Sequence, residues 1–287
     1  MLPFPEESPA EGGPSGLLAV LVLAVLQGLA EFLPISSSGH LALGRAVLGL
    51  REAGLALDVA LHVGTLVAVA AAYRAEVAQL LRDCLRGNLR MAAWLVVATL
   101  PATAAGLGAR GLFEEAAQSV TAAGVGLLVT ALLLVMGERA RRHPPEDPRG
   151  ANGSDPRGPQ AGYGRPAWAA AVAMGTLQVL ALWPGVSRSG TTIVAGLCLG
   201  LPAHQAARLS FLMSLPVVSG AALLELPSAF QEGFAGVSVP AVLLATAVAA
   251  LVGWLALRAL LLVLQRGALW AFSAYCALVG AIALTVL

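Results

Sequence analysis

Charged side chains are what this sequence most clearly lacks. Only 11% of its 287 residues are charged, whereas 58% are hydrophobic and the mean hydropathy is +0.81. An ordinary soluble domain is about 25% charged, and a soluble protein of the present composition could not cover its surface with polar groups. The length would allow about two soluble domains, but the composition excludes them and predicts one integral membrane domain.

Lysine is absent, and cysteine is sparse. Arginine alone supplies the basic charge, and the net charge of +1 leaves no basic surface for nucleic acid, so we expect no nucleic-acid partner. Three cysteines, at 84, 198 and 276, are too few and too scattered for a disulfide framework or a metal motif. Residues 1–16 contain no arginine and therefore lack the positive start of a secretory signal, so we expect a short disordered tail there.

Long apolar stretches are what the sequence does contain. A helix needs about 20 mostly apolar residues to cross a bilayer, and six stretches approach or exceed that length. These predicted spans are 57–73, 91–110, 118–137, 204–224, 239–262 and 268–287. Residues 138–166 are rich in Pro, Gly, Arg and Asp, which predicts a flexible linker outside the membrane. We therefore predict a single membrane domain over 17–287, with one half at about 17–137 and the other at about 167–287.

Two polar stretches interrupt the apolar sequence and resemble each other. They run over 27–39 and 178–190, each from a glutamine through a proline to a Ser/Gly-rich turn. When they are overlaid, Ser36-Ser37-Ser38-Gly39 meets Ser187-Arg188-Ser189-Gly190. Each stretch predicts two short helices around a turn, a re-entrant hairpin, because non-helical backbone at membrane depth has to be enclosed by protein. The paired glutamines favour an internal repeat over a chance match.

The distribution of arginine between the predicted spans gives the orientation. Arginine is concentrated in 74–90, in the linker and at Arg266, whereas the N-terminus, 111–117 and 225–238 are acidic. The positive-inside rule places the arginine-rich connections in the cytoplasm and both termini outside. The two hairpins then enter from opposite sides, so the repeat is inverted and the two turns can meet near the middle of the membrane. The predicted fold is an all-α membrane protein with six transmembrane helices and two re-entrant hairpins in an inverted-topology repeat.

The residues of the two turns predict a site for an anion, most naturally phosphate. Hydroxyl groups come from Ser36, Ser37, Ser38, Ser187, Ser189, Thr191 and Thr192. Gly39 and Gly190 allow backbone N–H groups to approach a ligand, and helices that start after the turns direct their positive ends at it. The guanidinium of Arg188 has a fork that suits phosphate oxygens.

Acid and base groups accompany this anion site. Glu31 and His40 offer proton transfer, and Ser37 is a candidate nucleophile if one of them activates it. Gln27 lies one turn before Glu31 and can orient its carboxylate. The alternative interpretations are a structural ion pair between Glu31 and Arg188, serines that only cap turns, and a structural role for His62. We expect Asp58 to cap its helix and Arg208 to reach the cytoplasmic face.

The two polar motifs resemble those of a known family. Glu-Phe-Leu-Pro-Ile-Ser-Ser-Ser-Gly-His over 31–40 and Leu-Trp-Pro-Gly-Val-Ser-Arg-Ser-Gly-Thr-Thr-Ile over 182–193 are similar to the two signature motifs of the bacterial undecaprenyl-diphosphatases of the bacitracin-resistance type. The resemblance continues through 58–66 and 207–216 and covers essentially everything from Gly16 to Leu287. It implies hydrolysis of undecaprenyl diphosphate to undecaprenyl phosphate and inorganic phosphate, which recycles the lipid carrier of cell-wall synthesis and confers bacitracin resistance.

The resemblance also implies a location, a cofactor and site residues. The protein is expected in the bacterial cytoplasmic membrane, with its site facing the outer side and with a divalent cation, Mg²⁺ or Ca²⁺. Carried over by position, Ser37 is the candidate nucleophile, Arg188 clamps the diphosphate, Glu31 is a base or metal ligand, and His40 is an acid/base or phosphate partner. The expected substrate-binding residues are Gln27, Ser36, Ser38, Gly39, Ser187, Ser189, Gly190 and Thr191.

One residue departs from the family pattern. Many members carry a second glutamate one turn before the motif carboxylate, where this chain has Gln27. An amide cannot act as a base and is a poorer cation ligand, so the expected metal site depends on Glu31, with the cation held mainly by the substrate diphosphate.

Two other functions compete with hydrolysis. A transporter or flippase for an anionic polyprenyl lipid is suggested by the inverted repeat, since transporters are often built that way. The other lipid-phosphatase superfamily also uses Ser-Gly-His and Ser-Arg elements, but it needs an upstream lysine and a histidine shortly after the Ser-Arg. This chain has no lysine and no histidine between Arg188 and His204, which excludes that superfamily. A homodimer is compatible with the sequence.

Overall fold

A computed structural model describes residues 14–48, 55–117, 119–142, 165–232, 234 and 237–286 of the chain. Within these residues the protein is all-helical, with twelve α-helices and no strand. The helices are α1 (Pro14–Phe32), α2 (Ser37–Leu48), α3 (Leu55–Ala72), α4 (Arg74–Leu85), α5 (Arg90–Gly108), α6 (Arg110–Ala117), α7 (Val120–Arg142), α8 (Arg165–Gln178), α9 (Arg188–Cys198), α10 (Ala203–Glu232), α11 (Val239–Arg266) and α12 (Leu269–Thr285).

Four of these helices are long and apolar enough to cross a membrane. They are Arg90–Gly108, Val120–Arg142, Ala203–Glu225 and Val239–Arg266. A fifth is obtained if Ala56–Ala72 and Arg74–Leu85, which meet at a bend of 84°, are counted as one span. Leu269–Thr285 is apolar but shorter. The chain is therefore a multi-pass helical membrane protein, while the count of six spans stays a prediction.

Both polar stretches form the same helix–turn–helix arrangement. Helices α1 and α2 flank the turn at 33–36, as predicted. In the second stretch α8 is followed by a 3-10 turn, Val179–Leu182, and α9 begins after Ser187. The same capping bond starts both inner helices: Gly39 N–H donates to the Ser36 hydroxyl at 3.3 Å, and Gly190 N–H donates to the Ser187 hydroxyl at 3.1 Å. The repeat seen in the sequence thus appears as a repeated local structure.

Three connections differ from the prediction. The segment 74–90, predicted as a loop, is mostly helix α4, and the acidic connection after α5 forms the short helix α6. Helix α7 continues to Arg142 and therefore includes the first residues of the predicted linker. Its last turn is charged and lies beyond the apolar stretch from which the end of the span was predicted. Residues 1–13 and 143–164 lie outside the described residues, as do the expected disordered tail and most of the linker.

Small residues bring the helices close together around the hairpins. A Cβ atom on Gly28 would lie 2.9 Å from the Ala249 carbonyl oxygen of α11, and one on Gly280 of α12 would lie 2.9 Å from the Gly124 carbonyl oxygen of α7. Close approach at small residues is the usual way in which membrane helices gain packing contacts. Phe32, Trp94 and Phe211 are fully buried in the largest core cluster. The core therefore surrounds the hairpins and holds their turns inside the bundle.

Candidate active site

The turns of the two hairpins touch each other. A Cβ atom on Gly39 would lie 2.9 Å from the Cα atom of Gly185, so only glycine permits this approach. The Ser189 hydroxyl of the second turn donates to the Leu33 carbonyl oxygen of the first at 3.4 Å. The predicted meeting of the two turns is confirmed for these residues.

A buried ion pair joins the two hairpins. Nη2 of Arg188 lies 2.7 Å from Oε1 of Glu31, and the Glu31 side chain is only 6% exposed. The second carboxylate oxygen, Oε2, accepts the Ser37 hydroxyl at 2.8 Å and the Gln27 amide at 3.1 Å. Gln27 therefore orients Glu31, as its position one turn earlier predicts. Ser37 has its hydroxyl proton directed at a carboxylate, which is the geometry of a nucleophile beside its base.

A histidine that the sequence interpretation treats as structural also faces this carboxylate. Nε2 of His62 lies 3.8 Å from Oε2 of Glu31. Its Nδ1 lies 2.8 Å from the Asp58 carbonyl oxygen and must donate there, because a carbonyl can only accept. Asp58 itself pairs with Arg45 through its carboxylate. The only signal in the sequence for His62 is its spacing of four residues from Asp58, which places it one helical turn further along α3.

His40 is bonded on both sides of its ring. Nδ1 donates to the Ser36 carbonyl oxygen at 2.8 Å, and Nε2 therefore accepts the Tyr275 hydroxyl, also at 2.8 Å. The two rings are stacked, with centroids 5.6 Å apart. His40 is 7% exposed. The predicted role of His40 in acid/base chemistry stays a prediction. Its ring lies between the Ser36 carbonyl oxygen and the Tyr275 hydroxyl.

A cavity of about 230 Å³ opens beside these groups. Most of its polar side chains come from the two turns and α3, and most of its aliphatic side chains come from α10, which also contributes Glu225. The lining residues are Ala30, Glu31, Ser36, Ser37, Ser38, Val59, His62, Ala181, Val186, Ser187, Arg188, Val217, Val218, Ala221, Ala222 and Glu225. A cavity with charged groups on one side and aliphatic side chains on the other suits an amphipathic ligand.

The expected substrate-binding residues divide into two groups. Ser36, Ser38 and Ser187 line the cavity together with the catalytic candidates Glu31, Ser37 and Arg188. Gln27, Gly39, Ser189, Gly190 and Thr191 are buried around the turns instead, and their side chains or backbones are used within the protein. The Thr191 hydroxyl, for example, donates to the Arg188 carbonyl oxygen at 2.9 Å. These five residues shape the site rather than border the cavity.

Glu31 is the single residue predicted to bind a metal ion, and it borders the cavity. The described residues contain no group of three or more His, Cys, Asp or Glu side chains that could hold a metal ion. Mg²⁺ is commonly held by one or two carboxylates together with substrate phosphates. Glu31, whose two oxygens face Arg188 and Ser37, fits a cation that arrives with a diphosphate.

Comparison with known proteins places the chain in a family. The profile described as bacitracin resistance protein BacA matches residues 20–282. The chain belongs to this family. The matched region contains both polar turns, the ion pair between the hairpins and the residues that line the cavity, so the site lies in the part of the chain that defines the BacA family.

Three relatives of similar length have the same name, undecaprenyl-diphosphatase. A protein named undecaprenyl-diphosphatase from Desulfatibacillum aliphaticivorans is 36% identical over 283 residues, covering 92% of this chain and 96% of its own length. Proteins of the same name from Rubrobacter xylanophilus and Trichlorobacter lovleyi are 37% and 39% identical, covering 90% of this chain and 94% and 93% of their own lengths.

Proposed function

We propose that this BacA family member removes the terminal phosphate from undecaprenyl diphosphate and releases undecaprenyl phosphate and inorganic phosphate. The observation that carries the proposal is the cluster of Ser37, Glu31 and Arg188 at the wall of a cavity that is polar on one side and apolar on the other. The names of the relatives support it. Regenerating the monophosphate supplies carrier for cell-wall synthesis, and removing the diphosphate confers bacitracin resistance.

Arg188 binds the diphosphate in this proposal. Its Nη2 contacts Glu31, and its side chain borders the cavity, so the guanidinium can bridge the carboxylate and a phosphate oxygen. Arginine pairs with phosphate through parallel N–H groups, which fixes orientation as well as charge. The hydroxyls of Ser36, Ser38 and Ser187 lie on the same wall and can donate to the remaining oxygens.

Ser37 then attacks the terminal phosphorus. Its proton passes to Oε2 of Glu31, 2.8 Å away, as the Oγ–P bond forms. The P–O bond to the leaving undecaprenyl phosphate breaks, and its electron pair stays on that phosphate. Water subsequently cleaves the phosphoserine. In the alternative course, the same carboxylate deprotonates a water that attacks directly, and Ser37 then only orients it.

In our proposal Glu31, together with the substrate diphosphate, would hold a divalent cation, Mg²⁺ or Ca²⁺, which would neutralise charge on the phosphate oxygens. The carboxylate is shared with Arg188 and with Ser37, which keeps it turned toward the cavity. Gln27 donates its amide to the same oxygen as Ser37 and so acts as an orienting group rather than a ligand.

The arrangement in the membrane is part of the proposal. Helices α3, α5, α7, α10, α11 and α12 are the six spans, and the two hairpins enter from opposite sides. The cavity wall includes Val59, near the start of α3, and Glu225, at the end of the apolar part of α10. Both lie at the end of the bundle that the distribution of arginine places outside. The site therefore faces the outer side of the cytoplasmic membrane.

Phosphate release from undecaprenyl diphosphate tests the proposal. The purified protein in detergent is assayed with Mg²⁺ or Ca²⁺ and then with a chelator, and cation-dependent release is expected. The competing flippase function, which the repeated hairpins favour, predicts movement of labelled polyprenyl lipid across vesicles without phosphate. Folded protein that moves lipid and releases no phosphate would replace the first proposal with the second.

A further inference from the structure

We infer that Thr130 and Tyr275 are positioning residues that hold the two catalytic turns in place, each from the opposite half of the chain. Thr130 lies on α7 and contacts the second turn, whereas Tyr275 lies on α12 and acts on the first turn through His40. The inference rests on the proposed function, because it concerns how Ser37 and Arg188 are presented to the substrate.

The first turn contains a backbone conformation that needs support. Ser36 has a φ angle of 72°, and it is the one non-glycine residue with positive φ among the described residues. The left-handed region is unfavourable for a residue with a Cβ atom. Ser37, the candidate nucleophile, follows immediately, so the direction of its hydroxyl depends on how firmly Ser36 is held.

His40 and Tyr275 supply this support. The carbonyl oxygen of Ser36 accepts the His40 ring N–H at 2.8 Å, and the Tyr275 hydroxyl donates to the other ring nitrogen at 2.8 Å. The stacked rings fix the orientation of the imidazole. A chain of two hydrogen bonds thus runs from α12 to the carbonyl group of the strained residue. His40 acts through Ser36, and Tyr275 acts through His40.

Thr130 supports the second turn with one hydroxyl group. Its Oγ1 donates to the Gly185 carbonyl oxygen at 2.9 Å and accepts the Ser187 N–H at 2.9 Å. Gly185 has a φ angle of 85°, and Ser187 is the residue that caps α9 just before Arg188. Thr130 is 1% exposed, so water cannot replace its hydroxyl. One hydroxyl group thus bonds both sides of the turn, the Gly185 carbonyl oxygen and the Ser187 N–H.

The two supporting helices are themselves fixed to each other. Ser273 of α12 donates its hydroxyl to the Ala131 carbonyl oxygen of α7 at 2.8 Å, one residue after Thr130. A Cβ atom on Gly280 would lie 2.9 Å from the Gly124 carbonyl oxygen, so the helices are in close contact along their length. Helix α7 of the first half therefore holds the second turn, and α12 of the second half holds the first turn. Because each half of the chain holds the turn of the other half, the relative position of Ser37 and Arg188 depends on the packing of α7 against α12.

The test for Thr130 compares three variants in the phosphate-release assay. Thr130→Val removes both hydrogen bonds, Thr130→Ser keeps the hydroxyl, and Thr99→Val is the matched control. The Thr99 hydroxyl is buried on α5 and donates only to Leu95 and Val96 of its own helix. We expect kcat/KM to fall about 100-fold in Thr130→Val, with a raised KM because Arg188 is displaced, and to stay near wild type in the other two.

The test for Tyr275 measures kcat and KM separately in the phosphate-release assay. Tyr275→Phe removes the hydroxyl and keeps the ring, and we expect kcat to fall about tenfold with KM little changed. Thr285→Ala is the control, because the Thr285 hydroxyl of α12 donates to the Ala281 carbonyl oxygen of its own helix and contacts neither turn.

Specific outcomes overturn the inference. Thr130→Val with the kinetics of Thr99→Val, or Tyr275→Phe with those of Thr285→Ala, shows that the hydroxyls do not position the turns. If Thr130→Val does not fold, Thr130→Ala and Thr99→Ala repeat the comparison without the added methyl group. A wild-type protein that releases no phosphate contradicts the proposed function instead. An active wild type with unaffected variants contradicts only the positioning roles.

Discussion

Nη2 of Arg188 lies 2.7 Å from Oε1 of Glu31, although 157 residues separate them in the chain. Each residue comes from the turn region of a different hairpin, and the bond between them joins the two halves of the protein. A buried ion pair is expensive to desolvate and adds little net stability over apolar packing. Its value here is that the same two groups border the cavity.

Removing either member of this pair should abolish phosphate release. We expect Glu31→Ala and Arg188→Ala to lower kcat/KM by at least about 100-fold, because each loses a charge directed at the reacting diphosphate. Each single variant also leaves one buried charge without its partner, which costs about 3–5 kcal/mol of stability. Kinetics and thermal unfolding in detergent measure the two effects separately.

A double variant separates chemistry from folding. Glu31→Gln combined with Arg188→Gln removes both charges, so its unfolding temperature should return toward that of wild type while activity stays lost. Full activity in any of these variants would refute the catalytic roles. An inactive single variant that is as stable as wild type would show that the pair contributes nothing to folding.

Ser37 should be far more sensitive to substitution than its neighbour. Ser37→Ala removes the hydroxyl that donates to Glu31, and we expect kcat to fall at least about 1000-fold. Ser38→Ala removes a hydroxyl that lies 3.2 Å from the Ser36 hydroxyl, and we expect only about a tenfold loss. Intact mass after rapid acid quenching reports whether Ser37 carries a phosphoryl group. Equal losses in the two variants would contradict the nucleophile assignment.

The cation should bind with the substrate rather than before it. Because the described residues offer no preformed cluster of ligands, the protein alone should bind Mg²⁺ weakly. Phosphate release measured against free Mg²⁺ at low and high substrate should give half-activating concentrations that fall as substrate rises. A half-activating concentration that is independent of substrate, or tight cation binding in its absence, would point to a site made by the protein.

Two glycines should respond oppositely to the same substitution. A Cβ atom on Gly126 of α7 would overlap the Pro184 carbonyl oxygen of the second turn, so Gly126→Ala should destabilise the protein by about 3 kcal/mol and lower activity. Nothing lies within 4 Å of a Cβ atom on Gly220 in α10. Gly220→Ala should therefore stabilise the helix by about 0.5–1 kcal/mol and leave activity unchanged. Thermal unfolding of both proteins decides between these outcomes.

Cysteine labelling should reveal the orientation. With Cys84, Cys198 and Cys276 replaced by alanine, we expect Ser238→Cys to react with a membrane-impermeant thiol reagent on intact cells. Asn88→Cys should react only after permeabilisation, since its connection is rich in arginine. Both positions are exposed, so a lack of reaction reflects the side of the membrane. The reverse pattern would place the site on the cytoplasmic side.

Local sequence accounts for much of the helical structure. The apolar stretches predict α5, α7, α10 and α11, because a run of apolar residues near bilayer length has few other stable forms. The two polar stretches predict both broken helices, because Pro34 and Pro184 each lie between the helices of a hairpin. The predicted loop at 74–90 is wrong, because the charged residues of this segment are compatible with a helix and Arg74–Leu85 forms one.

The sequence likewise predicts only some of the residues of the candidate site. Glu31, Ser37 and Arg188 are found from the motifs, because polar groups at membrane depth are rarely kept without a function. His62, Thr130 and Tyr275 are missed because each is a polar residue within a mostly apolar helix, and a polar residue with a purely structural role has the same pattern. Each of the three contacts a group from another part of the chain. His62 faces Glu31, Thr130 bonds the turn at Gly185 and Ser187, and Tyr275 bonds His40.

The sequence by itself determined that this is a helical membrane protein with two repeated polar turns and the residue types of a phosphate site. Those properties follow from composition, from periodicity and from the short-range rules of turns and caps. Only the tertiary structure decided which carboxylate oxygen faces Ser37 and which faces Arg188, and which histidine borders the cavity. Distances between groups on different helices depend on close packing at residues such as Gly39 and Gly185, and no local pattern encodes them.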